Sequence, residues 1–462
     1  MALMFYEENI MTTTVLLNGQ IVTGDGKTFI ETGTVIITDG NIKEVISGYQ
    51  EKKMFSETEY IIDASDLLMM PGVINHHTHG IVQGPLYPSG AKKIGWDHIK
   101  YNLDKHLMEG TTTLMSVCGF SSMDEVDEVN KKHPINIKTA TCHTPINFKA
   151  AKLADGTGLE DKHLTLTVEK MLEHGAAAIG EIGAGHTLGG GGQDYLYIPK
   201  AIEKETGKLL TTPEARALKY SILGRKIDKN AFNPDRVKGV LEELGLSQQI
   251  SVQRAKEIVE NCVLPSYEVA LEGMFEAAEL GKVLKVPVIV HNAASSMDTV
   301  EKVCQSESNI IAGHSNHPSF EVEECVKHAK KIKSLGKTID VSSLDMFDAR
   351  QLCESTDIVL ALMREGVVDT ISTDYAGGYW DSILRITEKA VEEDILDLPT
   401  AVAMTSSNVC KAIPLLAPER GLIEKGKIAD ILLVKKEKIS DVERVFINGK
   451  EVVRGGKIVY QV

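Results

Sequence analysis

The chain has 462 residues, 43% of them hydrophobic and 25% charged, which is ordinary globular material for one large domain and a smaller one. Its 65 acidic and 50 basic residues give a net charge of -15, which argues against a nucleic-acid binder that neutralises phosphates. Seven scattered cysteines without a CxxC pair argue against a disulfide scaffold, and no run of about 18 apolar residues offers a membrane span. The opening MALMFYEENIMTTT carries Glu7 and Glu8 and no basic stretch, so it is not a signal peptide. Together these features place the protein in the cytoplasm.

Residues 14–70 alternate β-branched residues with the turn signals Asn18-Gly19, Asp25-Gly26 and Asp39-Gly40, and so predict short antiparallel strands. The C-terminal stretch repeats the style in IADILLVKK and VERVFINGKEVVRGGKIVYQV, with Asn448-Gly449 as a hairpin turn. Neither end is long enough to bury two faces alone. The expectation is one small β-sandwich, residues 1–70 with 416–462, and a larger domain, 71–415, inserted between its halves.

Within 71–415 apolar strands alternate with amphipathic helices. The strand candidates are PGVINHHTHG, TTTLMSVCGF, INIKTATCHT, AAAIGEIGAG, VPVIVHNAAS, NIIAGHSNHP, KTIDVSS and VVDTISTDYAGG. Near-continuous apolar strands of this kind form parallel sheets covered on both faces, and eight of them predict a (β/α)8 TIM barrel, an α/β fold. Helices are expected in SMDEVDEVNKKH, LTLTVEKMLEHG, VALEGMFEAAELGKVL and VEECVKHAKKIKSLG. The segment from about 186 to 270 is too long for one βα loop and reads as an insertion. Its glycine run, residues 189–192, lacks the GK[ST] ending of a phosphate loop and reads as a hinge.

His77 and His79 stand two apart at the end of the first strand, so their side chains share a face. His76 between them has the opposite parity and is expected to be packed or hydrogen-bonded. Glu181, His291, His314 and Asp374 likewise end apolar strands, where nothing structural asks for a charge. A barrel brings all these strand ends to one rim. Four imidazoles and two carboxylates there make a ligand set for one or two divalent cations.

The order HxH, acid, His, His, Asp resembles the amidohydrolase superfamily, as does the closing KGKIADILLV. The resemblance covers nearly the whole chain. It implies that His77 and His79 hold one metal with Asp374, that His291 and His314 hold a second, and that Glu181 bridges them. The cofactor would be two divalent cations per chain, of zinc, iron or manganese; one remains the alternative if Glu181 faces away. Within the superfamily IGEIGAG, VHNA, GHSNH and STDYAGG look most like enamidase. Asn75, where many members carry Asp, departs from the pattern.

These residues imply a hydrolase that opens a cyclic amide, enamide or similar C–N bond in a small substrate, with metal-activated hydroxide and Asp374 as proton shuttle. A deaminase of an aminated heterocycle and a dipeptidase-like hydrolase are the alternatives, with a non-catalytic barrel scaffold as the contrast. Substrate contacts are expected from His143 at the third strand's end, His186 at the start of the insertion, His317 and Tyr379. Cys142 beside His143 does not make a nucleophilic pair, because adjacent strand residues point apart. A homo-oligomer, dimer or tetramer, is what the resemblance implies.

Overall fold

The computed structural model describes residues 13–58, 60–375 and 377–460; the opening stretch read as lacking a signal peptide lies almost wholly outside the described residues. Eight parallel strands pair in sequence order: Val73–Thr78, Thr111–Ser116, Asn136–Thr141, Ala178–Ile182, Val288–His291, Ile310–Gly313, Thr338–Ser342 and Thr370–Ser372. These are the eight strand candidates of the sequence, shortened to their apolar centres. Residues of opposite parity divide between two cores. Leu114, Val288, Val290, Ile339, Val341 and Ile371 pack outward against the helices. Ile74, Met115, Ala178, Ile289 and Ile311 instead form an inner core with Val409, Ile413 and Leu416. The fold is therefore a (β/α)8 barrel, nearly closed, with its floor sealed by apolar side chains.

The eighth and first strands are joined by side chains as well as backbone. Asn75 Nδ2 donates to Thr373 Oγ1 at 2.8 Å, while its Oδ1 accepts from the backbone N–H of His77 at 3.2 Å and of Thr373 at 3.3 Å. The backbone N–H of Asp374 donates to the His77 carbonyl at 3.0 Å. Asn75, the departure noted in the sequence, thus closes the barrel at the place where two of the rim residues arrive.

Both chain ends join one separate nine-stranded sheet, in which Ile431–Lys435 pairs with Leu67–Pro71. Its core mixes Leu16, Val35 and Met69 with Ile431, Leu433 and Phe446. Asn41 bridges Ile428, which brings the far edge strand back beside the C-terminal half. The sheet is mixed where an antiparallel unit was expected. Thr13–Val22 runs parallel to both Tyr60–Asp63 and Leu67–Pro71, because the turn around Lys52–Phe55 carries the chain back before the next strand begins. Leu67–Pro71 passes straight into the first barrel strand through Gly72. A Cβ there would lie 2.2 Å from Thr112 Oγ1, so only glycine fits.

The insertion runs between the fourth and fifth barrel strands. It contains helices Ile198–Thr206, Thr212–Leu223 and Pro234–Glu243, and ends in a single helix, Val252–Leu284. The sequence separated an insertion ending near 270 from a helix beginning at 269; the structure makes them continuous across Pro265. Tertiary bonds hold the helix at that point: Gln193 Nε2 donates to Cys262 O at 3.0 Å and Ser266 Oγ to Thr187 O at 3.1 Å. Among the described residues no helix is long and apolar enough to cross a membrane.

Two outcomes follow for stability. Asn75→Ala strands two buried backbone N–H groups and is expected to cost about 2–4 kcal/mol in urea unfolding. Glu125 caps helix Met123–Asn130 through Ser122 N–H (2.9 Å) and accepts from Lys162 Nζ (2.6 Å) and His163. Burial raises its pKa, but His163, Lys162 and the Ser122 N–H outweigh it and bring the carboxyl from an ordinary 4.5 to about 2. A group depressed on folding stabilises fully above its unfolded value, so this contribution disappears as pH falls from 4.5 toward 2. Glu125→Gln should therefore lose stability at pH 6 and show a flatter decline over that acid range.

Candidate metal centre

The six ionisable residues singled out at strand ends converge. Donor atoms of His77, His79 and Glu181 lie within 4.8 Å of one another, as do those of His77, His314 and Asp374, and those of Glu181, His291 and His314. Glu181 occupies the middle with its two oxygens divided. Oε2 faces His77 Nε2 and His79 Nε2, each at 3.7 Å. Oε1 lies 2.9 Å from His291 Nδ1 and 2.8 Å from His314 Nε2. Asp374 Oδ1 stands 3.9 Å from His77 Nε2 and 3.7 Å from His79 Nε2.

A divalent cation fits this donor set. His77 Nε2 is buried and has no hydrogen-bond partner, and separations of 3.7–3.9 Å are too long for hydrogen bonds. Donors sharing a tetrahedral ion at about 2.0–2.2 Å stand roughly 3.4 Å apart, close to what is seen. Five of these side chains are enclosed at 5% exposure or less, with Asp374 at 17%. Burial would raise Glu181, but His77 and His291, with hydrogen bonds from His291 and His314, hold it well below the carboxylate range. Burial lowers His79 to about 4. His314 would also fall with burial, yet its bond to Glu181 and the charge of Asp374 carry it up to about 9. Cation binding must therefore displace protons from the set.

The backbone supports this placement at a cost. His314 and Asp374 both have positive φ, 34° and 57°, a conformation that non-glycine residues rarely take. His314 is held by Asp340, a fully buried carboxylate on the seventh strand that the sequence reading missed. Asp340 Oδ2 accepts from the His314 N–H at 3.0 Å and from Ser372 Oγ at 2.8 Å. Its Oδ1 takes Thr370 Oγ1 at 3.1 Å and lies 3.2 Å from His76 Nε2. His76 is hydrogen-bonded as expected, but its partner lies in the network beneath the site. The pairing register of the first strand is irregular between Asn75 and Thr78, which breaks the simple alternation assumed from sequence. An apolar rather than charged KTIDVSS would have been unremarkable; its Asp340 was the available signal.

A cleft opens above the set, lined by His79, Glu181, His291 and Asp374 below and by Tyr87, His186, Tyr195, His317 and Tyr375 around it. His186 stacks on Tyr87 with centroids 3.9 Å apart and accepts from or donates to Tyr195 Oη at 3.0 Å. His317 Nδ1 bonds Ser319 Oγ at 2.8 Å, with its ring 5.4 Å from that of His291. Burial keeps His186 near 3 and His317 well below its ordinary value, so both are neutral. His143 is not brought to the cavity. It packs edge-on to Phe120 and Phe148, with Nδ1 on Thr141 Oγ1 at 2.9 Å. Its neighbour Cys142 points the other way and donates to the Glu181 carbonyl at 3.0 Å. Tyr379 is 54% exposed and away from the lining, and Tyr375 stands where it was expected.

Residues 265–452 match the model of the Amidohydrolase family. An imidazolonepropionase of Thermoplasma volcanium is 22% identical over 442 residues, covering 92% of this chain and 91% of that one. A 5-methylthioadenosine/S-adenosylhomocysteine deaminase of Pyrococcus furiosus is 42% identical over 65 residues, 14% of either chain. Among solved structures, a β-aspartyl dipeptidase from Fervidobacterium islandicum AW-1 superposes with TM-score 0.59 at 14% identity, covering 98% of this chain and 99% of that one. Enamidase superposes with TM-score 0.52 at 17% identity over 96% and 97% of the two chains. These likenesses share the amidohydrolase fold, and enamidase does not stand apart among them.

Stripping metal with a chelator is expected to lower the melting temperature, and adding back a divalent cation to restore it. A ligand a thousandfold above its Kd contributes about 4 kcal/mol, so the shift is several degrees by calorimetry. An unchanged melting curve would count against a metal at these residues.

Proposed function

We propose that this chain, a metal-dependent amidohydrolase-type enzyme, opens a cyclic amide, enamide or similar ring in a small neutral substrate. The observation that carries this reading is the wall of the cavity. Tyr87, Tyr195, Tyr375, His186 and His317 present flat rings over the metal site, and no Lys or Arg is among the described lining residues. Flat rings favour a planar, unsaturated substrate. A dipeptide carboxylate would ask for a cation that this wall does not offer. The imidazolonepropionase relative is named for an imidazolone ring bearing a propionate, which supports a ring substrate and not its neutrality.

In this reading His77 and His79, with Asp374, would hold one cation, His291 and His314 would hold the second, and Glu181 would serve both. The division of Glu181, Oε2 toward one histidine pair and Oε1 toward the other, supports two ions. Imidazole and carboxylate ligands suit zinc, with iron or manganese as alternates. When bound, such cations polarise a carbonyl and bring the pKa of water toward neutrality. Asp374 is the most exposed of the six and borders the cavity, and the Tyr375 N–H holds its Oδ1 at 2.7 Å. It accepts the proton of the attacking water and delivers it to the departing nitrogen. His186 and His317, both neutral, offer ring nitrogens to polar edges of the substrate. The enclosing rings keep bulk water from this transfer.

A deaminase acting on an aminated ring is the second reading, favoured by the 65-residue stretch that matches a deaminase. Release of ammonia from substrate would select it; ring opening without ammonia selects the first. Elemental analysis is expected to find two divalent cations per chain, and Glu181→Ala to retain less than one. Asp374→Asn should lower kcat by about 10²–10⁴ while much of the metal stays bound. Full turnover in that variant would remove Asp374 from its role. Activity should be indifferent to bicarbonate, since Glu181 needs no carboxylation to serve as the central ligand.

A further inference from the structure

The glycine run that the sequence suggested as a hinge is packed into the site. Gly191 and Gly192 line the cavity, and all four glycines of residues 189–192 are buried. A Cβ on Gly190 would come within 2.8 Å of Gly185 Cα and 3.3 Å of His291 Nε2. One on Gly191 would meet Leu352 Cδ1 at 2.7 Å, and one on Gly192 the His186 ring at 2.4 Å. The run passes edge-on between the metal-site histidines and the wall, where no side chain fits. A backbone without side chains gains nothing from its own packing and loses the most entropy when ordered. Something else must hold it.

Lys219 does so from behind. It projects from helix Thr212–Leu223 and is fully buried. Its Nζ lies 2.5 Å from the carbonyl of Gly189, which opens the run, and 2.6 Å from Oδ1 of Asp194, two residues past its end. Asp194 is itself only 2% exposed, and its other oxygen accepts from Arg216 Nε at 3.4 Å. One ammonium thus staples both ends of the run. Burying a lysine and an aspartate is expensive, and hydrophobic pairs of similar volume often stabilise a fold as well. Stability alone does not account for the pair.

We propose that the Asp194–Lys219 pair is a positioning device through which the insertion holds residues 189–192 as the roof of the metal centre, and so sets which substrates the cavity admits. The roof includes Gly191 and Gly192, and the segment it carries presents His186 and Tyr195 to the cavity. Loosening the staple leaves the metal ligands in place and changes the wall that meets the substrate. The proposal rests on the reading of the six-residue set as a metal centre, and its test separates the two.

The test uses metal-loaded enzyme, hydrogen exchange of the amides in 185–195 by mass spectrometry, and steady-state kinetics on a series of ring substrates. In the wild type these amides should exchange slowly; rapid exchange there overturns the proposal without any variant. Lys219→Met alone is expected to lose thermal stability, since it leaves the buried Asp194 with only its longer contact to Arg216. The double variant Asp194→Leu/Lys219→Met removes both charges and should regain stability. If the pair positions the roof, the double variant keeps its metal content yet exchanges faster at 185–195. Its KM should rise about tenfold or more while kcat changes much less, as misplacement of a binding wall predicts. Wild-type exchange and wild-type KM in the double variant would reduce the pair to a structural contact and overturn the proposal. Absence of metal from the wild type would instead defeat the functional reading, and the exchange comparison would still decide the staple.

Discussion

A carboxylate buried at 2% exposure among four histidines is the constraint on which the rest of this molecule turns. An ionised Glu181 in a closed apolar barrel would be prohibitively costly by itself. It is tolerated because each of its oxygens faces a separate pair of imidazoles. Ring nitrogens of His77, His291 and His314 have no hydrogen-bond partner, and a bound cation would engage His77 Nε2. The folded chain therefore stores, in one layer of its barrel, a cost that metal binding offsets. Folding and function are coupled at that layer.

Several features lie around it as supports. Asn75 fastens the last strand to the first, so that His77 and Asp374 arrive on the same side of the seam. Asp340 anchors the backbone of His314 in a left-handed conformation that the residue would not adopt unaided. Below them Ile74, Met115, Ile289 and Ile311 seal the barrel against water. A polar layer thus sits on a dry one, which strengthens every electrostatic interaction within it. The nine-stranded sheet is connected through Gly72 to the first barrel strand, at the opposite end from the histidines.

Above the metal layer the insertion supplies what the barrel lacks. Eight short βα loops would leave the rim open, whereas His186, Tyr195 and the glycine run roof it with rings and bare backbone. Leu344 and Leu352 complete the wall from a loop organised by Asp345, whose carboxylate accepts from the N–H groups of Gln351, Leu352 and Cys353. The floor of the cavity carries the ionisable set, and its wall carries the polar atoms of His186, His317 and the tyrosines.

The sequence by itself determined the barrel, because strand and helix periodicities are local, and it determined the rim set, because ionisable residues ending apolar strands have no bland explanation. Those residues were legible one strand at a time, and strand ends in a parallel barrel have only one place to meet. The tertiary structure decided everything that depends on how distant segments sit against one another. It put Tyr375 and not Tyr379 in the cavity lining and packed His143 against Phe120 and Phe148. It sent His76 to Asp340 through an irregular register, ran the insertion into one helix with its crossover, and made the first strand of the outer sheet parallel to two others. Lys219 looked like any helical lysine until the fold placed Gly189 and Asp194 on either side of it. Contacts of that kind join residues far apart in the chain, and no local pattern encodes which of them will touch.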